Sequence, residues 1–185
     1  MKKVLFVVGS MRKESFNRKL SLTASALLSD KVEISFLDYE DVPFMNQDIE
    51  FPVPEAVERV RKEVRKADAI WFFTPEYNYS YPGVLKNLLD WLSRPQTQGG
   101  KKEESAIAGK SVTSSSAAGR SGGLESRTKL NELFKSIYAN VLDIEETGIS
   151  LSKESFVTGK LILSEEQQDA LKRQAKSFLF ALESR

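Results

Sequence analysis

Three stretches of the chain carry side chains suited to a charged, flat ligand. The first runs Gly9-Ser10-Met11-Arg12-Lys13-Glu14-Ser15-Phe16-Asn17. It follows an apolar run, Val4 to Val8, and leads into an amphipathic segment, so it reads as the turn between a buried strand and a helix N-terminus. Free backbone N–H groups and the positive end of a helix dipole point into such a turn, which suits an anion. Ser10, Arg12, Ser15 and Asn17 add two hydroxyls, a guanidinium and an amide that can converge on a terminal phosphate. The stretch contains neither GxGxxG nor GxxxxGK[ST], so a Rossmann dinucleotide turn and a P-loop are both poor fits. An ordinary helix start, with Ser15 as cap and Arg12 in solvent, accounts for the same residues.

The second stretch is Pro75-Glu76-Tyr77-Asn78-Tyr79-Ser80-Tyr81-Pro82-Gly83, with three tyrosines in five residues directly after an apolar segment. Aromatic rings and the Asn78 amide at such a point suit a flat heterocycle with a polar rim. Packing of Tyr79 and Tyr81 under the loop, or in a subunit contact, is the alternative. Glu76 is a general base or a solvated loop carboxylate. The third stretch, 115–123, has Gly119, Gly122 and Gly123, which let a backbone approach a ligand closely or serve only as turn residues.

Composition narrows the chemistry. The chain has no cysteine and no histidine. Thiol nucleophiles, thiolate metal sites and Fe–S clusters are excluded, and histidine-based triads and most zinc hydrolases are disfavoured. Difficult chemistry would therefore belong to a cofactor. With 41% hydrophobic and 29% charged residues the 185-residue chain is expected to form a globular domain spanning 1–185. A net charge of +1 gives no pull toward nucleic acid or acidic lipid. The apolar run after Lys2-Lys3 is too short for a signal-peptide core, and no stretch approaches transmembrane length, so a cytoplasmic protein is expected.

Strands and helices must hold the three stretches in place. Strands are expected at 3–9, 32–37, 69–73, within 107–116, and at 140–144. Helices are expected from Ser15 to about Ser29, over 54–66 with its Arg, Lys and Glu residues outward, from Pro82-Gly83 toward Pro95, over 124–138, and from the capping box at 164–167 onward. The third-helix segment with Trp91, beside the tyrosine loop, is expected to form a dimer contact, while Leu85, Leu88 and Leu92 read as core. Residues 145–163 show no clear period. Five alternations argue for an α/β fold, a five-stranded parallel sheet between two helix layers. Ligands of such sheets bind beyond the C-terminal strand ends where strand order reverses. In the flavodoxin-like order 2-1-3-4-5 the strands before the three stretches are adjacent, and the stretches meet in one crevice.

Together, GSMRKESFNRKL at 9–20, TPEYNYSYPGVLKNLLDWLSR at 74–94 and SSSAAGRSGG at 114–123 resemble the NADPH-dependent FMN reductase family, which includes azoreductase-, quinone- and chromate-reductase-like flavoproteins. The resemblance covers most of 3–138. It implies a flavodoxin-like fold, bound FMN, NADPH or NADH as co-substrate, and a homodimer or homotetramer. Carried over by position, Ser10, Arg12, Ser15 and Asn17 bind the FMN phosphate. Pro75, Glu76, Tyr77 and Asn78 line the flavin ring, and Ser116 and Gly119 approach its other side. Relatives often carry a second serine where this chain has Ala117, so one hydroxyl contact is missing. Arg120 at the pocket mouth is placed to touch a nicotinamide-nucleotide phosphate. The implied reaction is a ping-pong exchange in which the flavin carries the chemistry, no side chain is obligatory as acid or base, and a small-molecule acceptor takes the electrons. A flavodoxin-like electron carrier or sensor, and a nucleotide or phosphosugar enzyme built on the first loop, are the alternatives.

Overall fold

β1 (Lys3–Val8) and β3 (Ala69–Thr74) sit side by side in the sheet because their sequences leave no polar face: every residue from Val4 to Val8 and from Ala69 to Thr74 is buried. Such runs fit only a parallel strand covered on both sides. The computed structural model describes residues 1–28 and 30–184. In it β2 (Glu33–Phe36) pairs with β1, and β4 (Ser111–Ala118) pairs with β3, all parallel. The order is β2-β1-β3-β4-β5, as expected for a flavodoxin-like sheet. The register sets Val8 beside Phe73 and Thr74 beside Ser116, so β1 and β3 end within one residue of each other and β4 two residues further on, and the three release their loops at the same edge of the sheet.

Alternation of side chains across the strands builds two cores. On one face Leu5, Val7, Ile70, Phe72 and Val112 meet α2 (Glu55–Lys66), α3 (Gly83–Leu92) and α4 (Leu124–Ser136). On the other, Val4, Phe6, Ala69, Trp71, Phe73 and Ala117 meet α1 (Phe16–Leu28) and α6 (Glu165–Glu183). Leu20 and Leu28 of α1 are fully buried, and each contributes about 2 kcal/mol over exposure. The Ser15 hydroxyl caps α1, accepting the Arg18 N–H at 3.3 Å. The expected end of this helix, Ser29, lies outside the described residues. Gly9 is required where β1 passes under α3, since a Cβ there would stand 2.6 Å from the Leu85 Cδ1.

Four expectations need correction. Trp91 is not on the surface of the third helix: it is 0% exposed, in the core with Leu85, Leu88 and Leu92, and its Nε1–H donates to the Pro43 carbonyl at 2.8 Å. Arg61 of α2 points inward instead of to solvent, because it has a buried acceptor, the Trp91 carbonyl, at 3.1 Å from Nη2. The fourth strand starts later than expected and runs on through Ala117 and Ala118, which pair with β6 (Gly148–Ser150). The fifth strand is not continuous over 140–144. β5 (Asn140–Val141) pairs with the start of β4 and β6 with its end, and the chain between them loops away from the sheet.

The gap is bridged by side chains. The Ser114 N–H donates to the Glu146 Oε1 at 3.0 Å, and its carbonyl accepts from the Gln174 Nε2 at 2.9 Å. Gln174 Oε1 accepts the Thr147 N–H at 2.8 Å, so its amide takes the place of a missing rung between β4 and its neighbour. Residues 151–163, unassigned from sequence, carry a short helix, α5 (Lys153–Thr158), started by the Ser152 hydroxyl and ended by Gly159.

Candidate active site

The loops after β1, β3 and β4 enclose a cleft of about 190 Å³. From the first loop, Ser10, Arg12, Ser15 and Asn17 line it; from the second, Pro75, Glu76 and Tyr77; from the third, Gly119. Asn78 and Ser116 do not line it. Ser116 faces the α4 layer instead, fully buried, donating to the Gly122 carbonyl and accepting from the Arg127 guanidinium. Gly123 makes that placement possible: it is left-handed at φ 79°, and a Cβ would stand 2.5 Å from the Ser116 Oγ. Asn78 turns outward in a tight turn and is exposed.

The loops are cross-braced. The Asn17 amide clamps the Ala117 backbone, donating to its carbonyl at 3.0 Å and accepting its N–H at 2.8 Å. Asn17 therefore lines the cleft and also locks the first loop to the third. Glu76 is neither a free base nor a solvated carboxylate. Its Oε1 accepts from the Ser121 hydroxyl at 2.7 Å and its Oε2 from the Ser126 N–H at 3.2 Å, which pins the third loop to the second. Behind them lies a largely buried pair. Burial pushes the Glu146 carboxyl above the usual carboxylate range, opposed by bonds from Ser114 and Asn131 and by Arg127 at 3.7 Å. Arg120 is exposed, and its carbonyl accepts from the Ser150 hydroxyl at 3.0 Å.

The second loop has a two-residue reversal. Tyr77 and Ser80 exchange backbone hydrogen bonds of 2.9 and 3.1 Å across Asn78 and Tyr79, both left-handed at φ 51° and 58°. Such a turn favours Asn-Gly, and a tyrosine in its second place is strained by about 1 kcal/mol. Tyr79 is 72% exposed and loses little contact on removal. Tyr79→Gly is therefore expected to raise stability by about 1 kcal/mol, read by urea unfolding with an unchanged slope. A loss of stability would show that the tyrosine ring holds the loop.

The donor set suits a phosphate. Arg12 makes no ion pair among the described residues, and its guanidinium rests 5.7 Å from the Phe16 ring centre. The N–H groups of the first α1 turn have no partner within the helix. The Ser15 hydroxyl, already accepting from the backbone, still has its proton to give. Above Gly119 no atom lies within 4 Å of a built Cβ, so a flat group can approach its backbone. The cleft is smaller than the roughly 300–1,000 Å³ of pockets that enclose whole ligands. It encloses one end of a ligand and leaves the other on the rim, where Tyr77 is 54% exposed.

Four lining residues were not foreseen: Phe16, Ala118, Leu151 and Phe156. Phe16 belongs to the first stretch but is an apolar residue among the polar ones that point to a ligand, and Leu151 and Phe156 fall in the stretch without a period. Among the described residues no group of three or more Asp and Glu could hold a metal ion, and no helix is long and apolar enough to cross a membrane.

Comparison with known proteins points one way. The profile of a family described as NADPH-dependent FMN reductase matches residues 2–153. An NAD(P)H-dependent FMN reductase of Pseudomonas aeruginosa is 34% identical over 176 residues, 95% of this chain and 92% of that one. A quinone reductase of Escherichia coli is 34% identical over 165 residues, 86% of this chain and 84% of that one. Among solved structures, a flavoenzyme NAD(P)H:(acceptor) oxidoreductase from Paracoccus denitrificans superposes with a TM-score of 0.83 at 28% identity, covering 100% of this chain and 98% of that one.

Proposed function

The chain belongs to the NADPH-dependent FMN reductase family, and on that premise we propose that it binds FMN in the cleft beyond β1, β3 and β4 and uses NAD(P)H to reduce a quinone, an azo compound, free flavin or a similar small acceptor. The observation that carries this reading is the convergence of Arg12, Ser10 and Ser15 at the head of α1 with Pro75–Tyr77 and Gly119 on one cleft. Held there, FMN would supply the redox chemistry between NAD(P)H and a small acceptor.

The chain's own residues bind and orient. Arg12 and the first-turn N–H groups of α1 hold the phosphate. Ser10 and Ser15 add hydroxyl donors. The backbone at Pro75–Tyr77 and Gly119 meets the ring on either side, at a spacing fixed by Asn17–Ala117 and by Glu76–Ser121. No side chain is needed to move a proton, in keeping with a chain that has no histidine. Exposed Tyr77 and Tyr79 in the second loop and exposed Leu124 at the start of α4 support a homodimer or homotetramer. Reduced nicotinamide nucleotides are a cytoplasmic resource, so the cytoplasm is where the reaction would run.

The test is rapid mixing of the FMN-loaded protein with NADPH and with NADH, followed by a quinone. Bleaching of the flavin and its recovery on adding the quinone are expected. A bound flavin that stays yellow with both nucleotides would instead mark an electron carrier, and failure to bind FMN would end the reading.

A further inference from the structure

The matched family profile stops at residue 153, yet the cleft does not. Leu151, near the end of the match, and Phe156, three residues beyond it, both line the cleft. Leu151 extends β6, donating its N–H to the Ala118 carbonyl at 2.9 Å. α5 follows and is fastened to the head of α1 at two points. The Phe156 ring meets Phe16 edge-on, 5.9 Å between centres at 81°. The Lys19 ammonium donates to the Gly159 carbonyl at the end of α5, 2.6 Å away, and to Glu14 in the first loop, also 2.6 Å away.

Phe16 is the common element. It is 7% exposed, and both Arg12 and Lys19 lie over it, 5.7 and 5.9 Å from its centre. Arg12 thus rests on Phe16, and Phe16 rests on Phe156. Cation–π contact favours a guanidinium held against a ring, but only a ring that cannot swing away. Phe156 itself is 60% exposed. Its exposure leaves little core packing to explain its position, and one side of it borders the cleft. The link from Phe156 to the guanidinium runs through Phe16.

We propose that Phe156 is a positioning residue for the phosphate of the cofactor, acting through Phe16 on Arg12. This rests on the FMN reading above and adds a part of the site contributed from beyond the residues that the family profile matches. Because Phe156 acts through Arg12, its effect must be confined to ligands that carry a phosphate.

The experiment compares FMN with riboflavin, its phosphate-free counterpart, by quenching of flavin fluorescence on titration with the apo-protein. Phe156→Ala is expected to weaken FMN about tenfold, the size of a typical coupling between touching residues, and to leave riboflavin within about twofold. In an Arg12→Ala background Phe156→Ala should cause no further loss for FMN. Val157→Ala, at a neighbouring position 86% exposed and outside the cleft lining, should match the wild type and serves as a control for α5 folding. Equal losses for FMN and riboflavin, no loss for either, or additive losses with Arg12→Ala would each overturn the proposal. A wild-type protein that binds neither flavin would overturn the FMN reading itself. Normal wild-type binding with an unaffected Phe156→Ala variant would remove only the role of Phe156.

Discussion

Arg12→Ala is expected to weaken FMN binding by about 10- to 100-fold, the loss that follows from removing a hydrogen bond between two charged groups worth about 1.5–3 kcal/mol. Riboflavin affinity should hardly change. Stability should hold as well, because Arg12 is exposed and makes no ion pair among the described residues; the melting temperature should stay within about 2 °C of wild type. Arg12→Lys should fall between, since it keeps the charge and loses the planar fork. Fluorescence titration with both flavins and a thermal melt decide the matter. Unchanged FMN affinity would move the phosphate away from the first loop and with it the orientation assigned to the ligand.

Gln174→Leu is expected to lower stability by about 3–5 kcal/mol, with a drop in melting temperature of roughly 10 °C or more. The reason is the number of buried groups it would strand. Gln174 is 0% exposed and its amide is fully used. It donates to the Ser114 carbonyl and the Thr113 hydroxyl and accepts from the Ser115 hydroxyl and the Thr147 N–H. Ser115 in turn accepts from the Trp71 indole at 3.0 Å. Leucine fills a similar volume and satisfies none of them, and an unsatisfied buried group costs more than its bond is worth. Urea unfolding measures the change. A loss below about 1 kcal/mol would mean that water or a local shift takes over the rung. Flavin affinity should fall less than stability, because Gln174 lies under the third loop and not in the cleft.

These two residues mark how far the sequence could be read. Arg12 was legible because its neighbours name its place: an apolar strand, a glycine, and a serine suited to cap a helix. The sheet order followed from β1 and β3, whose unbroken apolar runs leave no other environment. Gln174 was not legible as a structural part, since a glutamine on an amphipathic helix looks like a solvated one until its partners 60 residues away are known. The break between β5 and β6 was hidden for the same reason. Asn140 to Ile144 has the alternation of one strand, and what replaces the missing rungs comes from Glu146 and Gln174. Ser116 was assigned to the ligand by position from the family resemblance, and the run of three serines it ends carries no signal of which one faces which layer. Phe156 was missed because α5 has only six residues, too few for a period to show.

The interrupted margin of the sheet has one more effect, on how copies of the chain behave when crowded. A long straight margin offers a row of open backbone groups onto which another chain can add as a strand, the first step toward fibrils. Here that margin consists of two residues, a six-residue loop and three residues. The loop carries exposed Asp143 and Glu145, and the rungs next to it are already occupied by side chains of the same molecule. The opposite margin is four residues long, and Glu33 on it is exposed. Neither side presents a template that a second chain can extend.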